Sequence, residues 1–117
     1  MNKKAVIVID MLEDFVYGPL KNERAKRIIP NIAKLLDHGR KNDWIIIFSN
    51  DAHKKGDPDE KVWGKHAMAG TKGAQVIKEL KPVKGDYILP KRFYSSFYKT
   101  DLEKILKKHK IKELVIT

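Results

Sequence analysis

Four short apolar runs recur along the chain and predict the strands of a buried sheet. Ala5–Ile9 and Trp44–Phe48 are apolar at every position, a pattern typical of strands that are covered on both faces. Asp86–Pro90 and Glu113–Thr117 are two further runs rich in aliphatic residues. Strands that are buried on both faces favour parallel pairing, so the segments between them should cross over as helices.

Apolar residues at helical spacing predict a helix between the first two strands. Pro30–Leu36 carries this spacing, with Pro30 acceptable in the first turn and Gly39 just past the end. Ile28 and Ile29 form either a lead-in to this helix or an extra turn of it. The first crossover is therefore predicted to be helical.

Two more helices are predicted after the second strand. Gly73–Leu80 has apolar residues suited to a short helix that Pro82 would stop. Thr100–Glu103 matches a capping box, and the apolar face that follows predicts a helix through about His109. The polar loop over residues 49–71 is too long for a mere connector, and loops of this length usually carry function or disorder.

Strands and helices alternate along the whole chain, and this order predicts the fold class. The economical arrangement is a right-handed series of β-α-β units, which gives a three-layer α/β/α sandwich with a parallel central sheet. The chain has 117 residues, of which 42% are hydrophobic, enough to bury a core. We therefore predict a single α/β domain over residues 1–117.

The formal net charge of +10 is compatible with a polyanion-binding module, because basic surfaces attract phosphate backbones. Lysines and arginines nevertheless alternate with acidic residues on the predicted helix faces, as in Glu23–Arg27 and Asp101–Lys108. This interspersed pattern is typical of solvated surface and favours no nucleic-acid partner. A non-catalytic, basic binding module stays as the alternative from a different functional class.

The apolar runs also bear on cellular location. None reaches transmembrane length, and the first residues lack the long apolar region and cleavage site of a secretory signal. The prediction is a cytoplasmic protein without a membrane partner. The chain contains no cysteine, which excludes disulfides, thiolate metal sites and a cysteine nucleophile within these residues.

Charged side chains follow three of the apolar runs at the point where each predicted strand ends. Asp10 follows the first, Asp51 and His53 follow the second, and Lys91 follows the third. Ligands of open α/β sheets collect at the carboxyl ends of the strands, so these residues should meet there. Carboxylate and neutral imidazole both bind divalent ions well, and His66 in the same long loop extends a candidate metal cluster.

Each of these residues also has a purely structural explanation. Asp10 could be a helix N-cap or turn residue, Lys91 could be an exposed lysine, and His66 could lie on the loop surface. His38 and His109 lie near predicted helix ends, where a favourable contact with the helix dipole explains them. The shared placement at strand ends favours a functional site over these separate explanations.

Four ordered motifs together indicate a protein family. They are Val8–Phe15 (VIDMLEDF), Asp51–His53 (DAH), Trp63–Gly73 (WGKHAMAGTKG) and Lys91–Phe97 (KRFYSSF). In this order they resemble the isochorismatase-like cysteine hydrolases, and most closely the nicotinamidase branch. The Lys-x-x-Tyr-Ser-x-Phe pattern after a strand is the most specific of the four. The resemblance extends from residue 4 to residue 117.

The resemblance implies a thiol-dependent amide hydrolase with an Asp-Lys-Cys triad. Asp10 would correspond to the general base that takes the thiol proton. Lys91 would correspond to the cation that lowers the thiol pKa and holds two acidic partners in place, since thiolate is the reactive form. Attack on a carboxamide would expel ammonia and leave a thioester for water to hydrolyse. For the nicotinamidase branch, the reaction converts nicotinamide to nicotinate and ammonia.

In the nicotinamidase branch, a divalent metal contacts the ring nitrogen of the substrate or a water molecule. By position, the resemblance assigns this metal to Asp51, His53 and His66, with Asp59 as the fourth ligand and Glu60 as a neighbour that could substitute. Zinc is the expected ion, and iron or manganese would also suit such ligands.

Three aromatic residues are candidates for the walls of the substrate pocket. Phe15, Trp63 and Tyr94 could enclose a pyridine ring, because flat apolar faces favour one. For each of them, plain packing in the core is the alternative. The implied partner is a small-molecule amide, and the resemblance also suggests a homo-oligomer.

The nucleophilic cysteine of the family would follow the last predicted strand, in a segment that also supplies the oxyanion-hole amides. The sequence ends at Thr117. We expect the chain to be the N-terminal two-thirds of a longer hydrolase domain. The alternative is a chain that truly ends here, which would be inactive and prone to aggregation through its uncovered sheet edge.

The closest alternative function is a family hydrolase that acts on another small amide or on a vinyl ether such as isochorismate. The Asp51-x-His53 pair favours the metal-bearing amidase, because branches without metal need not retain both histidines. Substrate choice depends on the whole pocket, so the residues in hand leave this alternative open.

Overall fold

The centre of the fold is a parallel sheet of four strands in the order β3-β2-β1-β4. A computed structural model describes residues 3–117. Helices lie on both faces of the sheet, which confirms the predicted α/β class with a parallel central sheet. The strands are β1 (Lys4–Ile9), β2 (Ile45–Asp51), β3 (Tyr87–Lys91) and β4 (Glu113–Ile116).

The two central strands bury both of their faces, because successive side chains point to opposite sides of a sheet. One face packs against helix α2 (Glu23–Lys41) and the other against helix α4 (Leu102–Lys108). The all-apolar runs in the sequence reflect these two cores. Val6, Val8, Ile46 and Phe48 face α2, whereas Ala5, Ile7 and Ile47 face α4.

Helix α2 is much longer than the predicted Pro30–Leu36 range. It begins after Asn22, whose side chain accepts a hydrogen bond from the amide of Ala25 at 2.9 Å. The prediction that Pro30 lies in the first turn and Gly39 past the end is wrong, because both lie inside the helix. Burial of the apolar face against the sheet outweighs the cost of a proline. Neither α2 nor any other helix of residues 3–117 is long and apolar enough to cross a membrane.

The predicted helix at Gly73–Leu80 is wrong. Two single 3₁₀ turns, Lys72–Ala74 and Lys78–Leu80, flank an extended stretch instead. This stretch pairs with the segment after β1, where the amide of Ile77 donates to the carbonyl of Met11 at 3.1 Å. Backbone pairing with a distant segment therefore overrides the local helical spacing.

Two short helices that the sequence did not predict carry residues of the site. Helix α1 (Glu13–Val16) follows β1, and helix α3 (Asp59–Trp63) lies within the long loop after β2. Each is about one turn long, too short for apolar periodicity to show. The loop is therefore partly structured rather than a plain connector.

Helix α4 confirms the helix predicted before the last strand but not its capping box. The hydroxyl of Thr100 accepts from the amide of Leu102 at 3.3 Å and donates to the carbonyl of Ser96. The side chain of Glu103 pairs with Lys107 at 2.9 Å instead of returning to the start of the helix. Hydrogen bonds to the preceding loop thus replace the reciprocal cap.

Strands β2 and β3 extend past their apolar residues into charged ones. β2 continues beyond Phe48 to Asp51, and β3 ends at Lys91. Asp51 and Lys91 are paired in register, and the amide of Ala52 donates to the carbonyl of Lys91 at 2.7 Å. Residues that the sequence placed in loops therefore belong to the sheet, which fixes their positions.

The two faces of α2 allow a matched test of the core. Ile32 is 2% exposed and Ile28 is 42% exposed. Ile32→Ala should lower the free energy of unfolding by about 2–5 kcal/mol, because it leaves a cavity in the core. Ile28→Ala should lower it by less than about 1 kcal/mol. Urea denaturation followed by circular dichroism measures both, and equal losses would contradict the assigned core.

Candidate active site and metal centre

The ammonium group of Lys91 lies buried where β1, β2 and β3 end. Its Nζ donates to Asp51 Oδ1 at 2.5 Å, to Asp10 Oδ2 at 3.3 Å and to the carbonyl of Phe93 at 3.3 Å. These bonds use all three donors of the ammonium group. Lys91 is 3% exposed, so the alternative of a surface lysine is wrong.

Asp10 has a left-handed backbone, with a φ of 55°, directly after β1. Its Oδ1 accepts from the amide of Asp51 at 2.9 Å, and its own amide donates to the carbonyl of Ser49 at 3.0 Å. These bonds direct the carboxylate toward Lys91, and Leu12 is the N-cap of α1. The alternative of Asp10 as a helix cap is therefore wrong.

Burial and charge shift the pKa values of both groups. The pKa of the Asp10 carboxyl is raised, mainly by burial and secondly by the charge of Asp51. The ammonium group of Lys91 only partly opposes this. For Lys91, burial acts to lower the pKa, but the hydrogen bond to Asp51 and the charges of both aspartates raise it overall. Asp10 is thus a better proton acceptor than an ordinary aspartate, and Lys91 stays charged.

Four side chains with metal-binding atoms meet beside this ion pair. Asp51, His53, Asp59 and His66 each offer one ligand atom, and these atoms all lie within 4.8 Å of one another. All four residues are buried, so the alternative of a surface His66 is wrong. Glu60, the predicted substitute, instead accepts a hydrogen bond at 2.8 Å from a backbone amide of its own loop.

His53 gives the clearest sign that an ion fits this group. It is 3% exposed, and its Nε2 has no hydrogen-bond partner among residues 3–117. Nε2 lies 3.4 Å from Asp51 Oδ2 and 3.6 Å from Asp59 Oδ2. A buried polar atom without a partner is costly. A cation seated between Nε2 and the two carboxylates would supply the missing contact.

His66 is oriented by its own loop. Because a carbonyl can only accept, its Nδ1 donates to the carbonyl of Gly64 at 2.8 Å. The lone pair of Nε2 is consequently left for an ion. The ring also contacts His53 and Phe15 edge to face, with centroids 4.8 Å and 5.5 Å away. Hydrogen bonding and ring packing together fix the imidazole.

Asp57, which the sequence did not single out, lies next to the second ring nitrogen of His53, Nδ1. It is 3% exposed, accepts from Arg92 at 2.5 and 3.3 Å, and accepts from the amide of Lys54 at 2.8 Å. These bonds, Arg92 first, hold the pKa of Asp57 well below its usual range. Its Oδ2 lies 3.5 Å from His53 Nδ1, a placement that orients metal-binding imidazoles. The sequence offered no signal to separate it from neighbouring acidic residues.

Asp14, in α1, is a second supporting residue that the sequence missed. Its Oδ2 accepts from the amide of Ala67 at 2.8 Å, directly after His66. Ala67 has a φ of 44°, an uncommon backbone for a residue with a Cβ. A Cβ at Gly73 would clash with the Asp14 carboxylate. The helix after β1 thus anchors the loop that carries a candidate ligand.

The site carries an excess of negative charge. Among residues 3–117, the ion-pair network and the metal group together hold three carboxylates, those of Asp10, Asp51 and Asp59, against one ammonium group, that of Lys91. Two formal negative charges remain uncompensated, and a divalent cation would neutralise them. Two imidazoles and two carboxylates are also donors that zinc, iron and manganese accept. The residues therefore fit a divalent metal.

A pocket of about 340 Å³ opens beside these groups, within the size range of small-ligand sites. Phe15, Trp63 and Tyr94 line it together with Asp10 and His66. Trp63 is 54% exposed and Tyr94 is 71% exposed, so the alternative of core packing is wrong for these two. The indole Nε1 of Trp63 donates to the Tyr94 hydroxyl at 3.4 Å, which links the two rings.

The end of β4 lies next to Asp10. The carbonyl of Thr117 accepts from the amide of Ile9 at 2.8 Å, and the amide of Thr117 donates to the carbonyl of Ile7 at 2.9 Å. Ile9 immediately precedes Asp10. The carboxyl end of β4 therefore lies at the same edge of the sheet as Asp10.

Comparison with protein-family models matches residues 4–117 to the isochorismatase domain. The chain belongs to the isochorismatase family. This confirms the resemblance inferred from the four motifs. Family members are hydrolases and amidases, and the residues at the strand ends of this isochorismatase-family chain form the site described above.

Solved structures of isochorismatase-family enzymes superpose closely on this chain. An N-carbamoylsarcosine amidase from Thermoplasma acidophilum is 36% identical with a TM-score of 0.94, over 97% of this chain and 66% of that one. Nicotinamidase PncA from Bacillus subtilis is 31% identical with a TM-score of 0.90, over 98% and 70%. A pyrazinamidase from Pyrococcus horikoshii in complex with zinc is 27% identical with a TM-score of 0.88, over 97% and 69%.

Two curated relatives show what family membership says about function. YaaI of Bacillus subtilis, an uncharacterized isochorismatase family protein, is 30% identical over 116 residues, which cover 97% of this chain and 64% of that protein. This chain thus spans less than two thirds of that relative. A probable inactive nicotinamidase of Arabidopsis thaliana is 27% identical over 124 residues, which cover 96% of this chain and 63% of that protein. Membership alone therefore does not establish a substrate.

The metal group predicts a difference between two histidine variants. His53→Ala should abolish stoichiometric zinc binding, because it removes the nitrogen that faces both carboxylates. His38→Ala changes a histidine of α2 outside the group and should leave zinc content unchanged. Elemental analysis after incubation with zinc and removal of free metal measures both. Equal zinc content in the two variants would contradict the metal site.

Asp57→Asn should weaken zinc affinity by about 10- to 100-fold, because the neutral amide orients the His53 ring less firmly. Asp37→Asn removes an exposed carboxylate on α2 and serves as the matched control. Competition with a chromophoric chelator measures both dissociation constants. An unchanged affinity in Asp57→Asn would show that His53 does not need this support.

Proposed function

We propose that the protein hydrolyses a small aromatic carboxamide, with nicotinamide as the substrate and nicotinate and ammonia as the products. One observation carries this proposal: the Asp10–Lys91–Asp51 ion-pair network adjoins a buried Asp/His group, and both contribute side chains to one pocket. The first part suits activation of a thiol, and the second offers a polar anchor for a heteroaromatic ring.

Asp10 and Lys91 would act on a cysteine thiol. The raised pKa of Asp10 makes it a better acceptor of the thiol proton, and the ammonium group of Lys91 favours the thiolate. The sulfur then bonds to the amide carbon, the C–N bond breaks, and ammonia leaves with the proton that Asp10 held. Water hydrolyses the thioester, which releases the acid and restores the thiol.

The thiol would come from residues that follow β4. The 117 residues contain no cysteine. The backbone hydrogen bonds between Thr117 and the end of β1 support a position near Asp10 for residues that follow β4. The activity is therefore proposed for a protein in which this chain supplies the general base, the cation and the metal ligands, and a following segment supplies the nucleophile.

Asp51, His53, Asp59 and His66 would hold the divalent ion, which we propose is zinc. The donor set supports this assignment, as does the zinc complex of the Pyrococcus horikoshii pyrazinamidase. When bound, such an ion offers a Lewis-acid contact for a ring nitrogen or for a water molecule. The orphaned Nε2 of His53 is the strongest support for the ion itself.

Phe15, Trp63 and Tyr94 would enclose the aromatic ring of the substrate. All three line the same pocket as Asp10, Asp51, Asp59 and His66. Flat aromatic walls suit a pyridine or pyrazine ring, because offset and edge-to-face ring contacts are favourable. The ring would thus lie between these side chains while its amide reaches toward the Asp10–Lys91 pair.

A second candidate is the hydrolysis of an N-carbamoyl compound. It is favoured by the TM-score of 0.94 with the N-carbamoylsarcosine amidase, against 0.90 with the nicotinamidase. A terminal carbamoyl group also presents a carbon that a thiolate can attack with loss of ammonia. Such a substrate would make less use of aromatic walls.

Ammonia release separates the two candidates. The zinc-loaded protein that carries this chain together with the segment supplying the cysteine is assayed with nicotinamide, pyrazinamide and N-carbamoylsarcosine, and kcat/KM is compared. We expect the two aromatic amides to be preferred by at least about tenfold, because the pocket walls contact their rings. A preference for N-carbamoylsarcosine would favour the second candidate. Absence of ammonia release from all three would refute the amidase assignment.

Asp10→Asn and Lys91→Met should each lower kcat/KM for nicotinamide by at least about 100-fold, because each removes a charge needed for proton transfer or thiolate formation. Asp101→Asn and Lys84→Met change exposed residues and serve as matched controls. Thermal melting is measured alongside, since Lys91→Met leaves buried carboxylates unpaired. If that variant unfolds, Asp10→Asn carries the test, and a wild-type rate in Asp10→Asn would contradict its role.

A further inference from the structure

A second cavity, of about 410 Å³, lies on the other side of the end of β2 from the catalytic pocket. Asn50 lines this cavity, whereas the next residue, Asp51, lines the catalytic pocket. Successive residues of a strand point to opposite faces, so the end of β2 contributes one side chain to each cavity. The two cavities share no lining residue. The size again suits a small molecule.

Asn50 is a buried polar residue of the cavity lining. The residue is 5% exposed, and its Oδ1 has no hydrogen-bond partner within residues 3–117. Leaving a buried amide oxygen unpaired costs about 1–3 kcal/mol. Because this oxygen has almost no accessible surface, it lies behind the cavity lining, and the charged residues around the cavity must supply the polar contacts to a ligand.

Charges of both signs surround the same space. Glu13, from α1, lines one part of it, and Lys78 and Lys81 line another. None of the three forms an ion pair with another side chain in the described part of the chain. A ligand that carries a cation and an anion at separate ends could therefore pair with both.

The remaining wall is apolar. Val76, Pro82 and Ile88 line the cavity, and Ile88 is 60% exposed on the edge strand β3. Covering such a side chain removes apolar surface from water, which is favourable. The ligand should therefore carry a branched or otherwise compact apolar group as well as its two charges.

We propose that this cavity binds a free amino acid with an apolar side chain. The ammonium group would donate to Glu13, and the carboxylate would meet Lys78 and Lys81. The apolar side chain would cover Ile88. A simple anion would leave Glu13 unmatched, and a simple amine would leave two lysines unmatched. The site is independent of the proposed amidase reaction.

Calorimetric titration of the protein with L-leucine tests the ligand class. We expect saturable binding with a dissociation constant below about 10 mM. 4-Methylpentanoate lacks the ammonium group and 3-methylbutylamine lacks the carboxylate, and each should bind at least about tenfold more weakly, because one charged contact is lost. No saturable heat with L-leucine, or equal affinity for all three compounds, would overturn the proposal.

Two variants test the location. Lys81→Gln and Glu13→Gln should each weaken L-leucine binding by about tenfold, whereas Lys84→Gln, an exposed lysine that does not line the cavity, should not. In ¹⁵N spectra, L-leucine should shift the side-chain amide of Asn50 and leave the indole of Trp63 unmoved. Equal affinity in the Lys81 and Lys84 variants, or a shift at Trp63 alone, would place the ligand elsewhere and overturn the proposal.

Discussion

The buried ammonium group of Lys91 is the interaction on which the rest of the site depends. Removing a charge from water is costly, and the cost is offset here because Asp10, Asp51 and the Phe93 carbonyl receive all three of its donors. Asp10 follows β1, Asp51 ends β2 and Lys91 ends β3. One network of ion pairs therefore fixes three adjacent strand ends relative to one another, and the candidate catalytic groups are held by the sheet itself.

The metal group adjoins the same network of ion pairs. Asp51 belongs to both, since its Oδ1 accepts from Lys91 and its Oδ2 faces His53. The acid–cation pair and the metal group thus share one carboxylate, and a change of charge in either alters the electrostatic field at the other. The two imidazoles, in contrast, lie in loops, and each needs its own support: Asp57 behind His53, and the Asp14 carboxylate that anchors the segment after His66.

Sequence reasoning succeeded where local pattern and tertiary structure agree. The all-apolar runs identified the sheet, and charged residues after them identified the Lys91 network, because parallel strands bring their carboxyl ends to one edge. Sequence reasoning failed where contacts between distant segments determine the local structure. Pro30 predicted a helix start, but packing of the apolar face carries α2 through it. Residues 75–77 are extended because they pair with the segment after β1. Asp57 and Asp14 could not be told from solvated acids, because their partners lie far along the chain.

Gly73 ends the long motif around His66, and what matters at this position is the absence of a side chain, because the Asp14 carboxylate occupies the space that a Cβ would take. Even a methyl group there would displace the Asp14 carboxylate from the backbone amide that it holds. The loop that carries His66, in the segment just before Gly73, would then lose this anchor, although Gly73 touches neither ion nor substrate in the proposed scheme. A substitution at this glycine should therefore act on the candidate metal site through the loop of His66 rather than through a ligand.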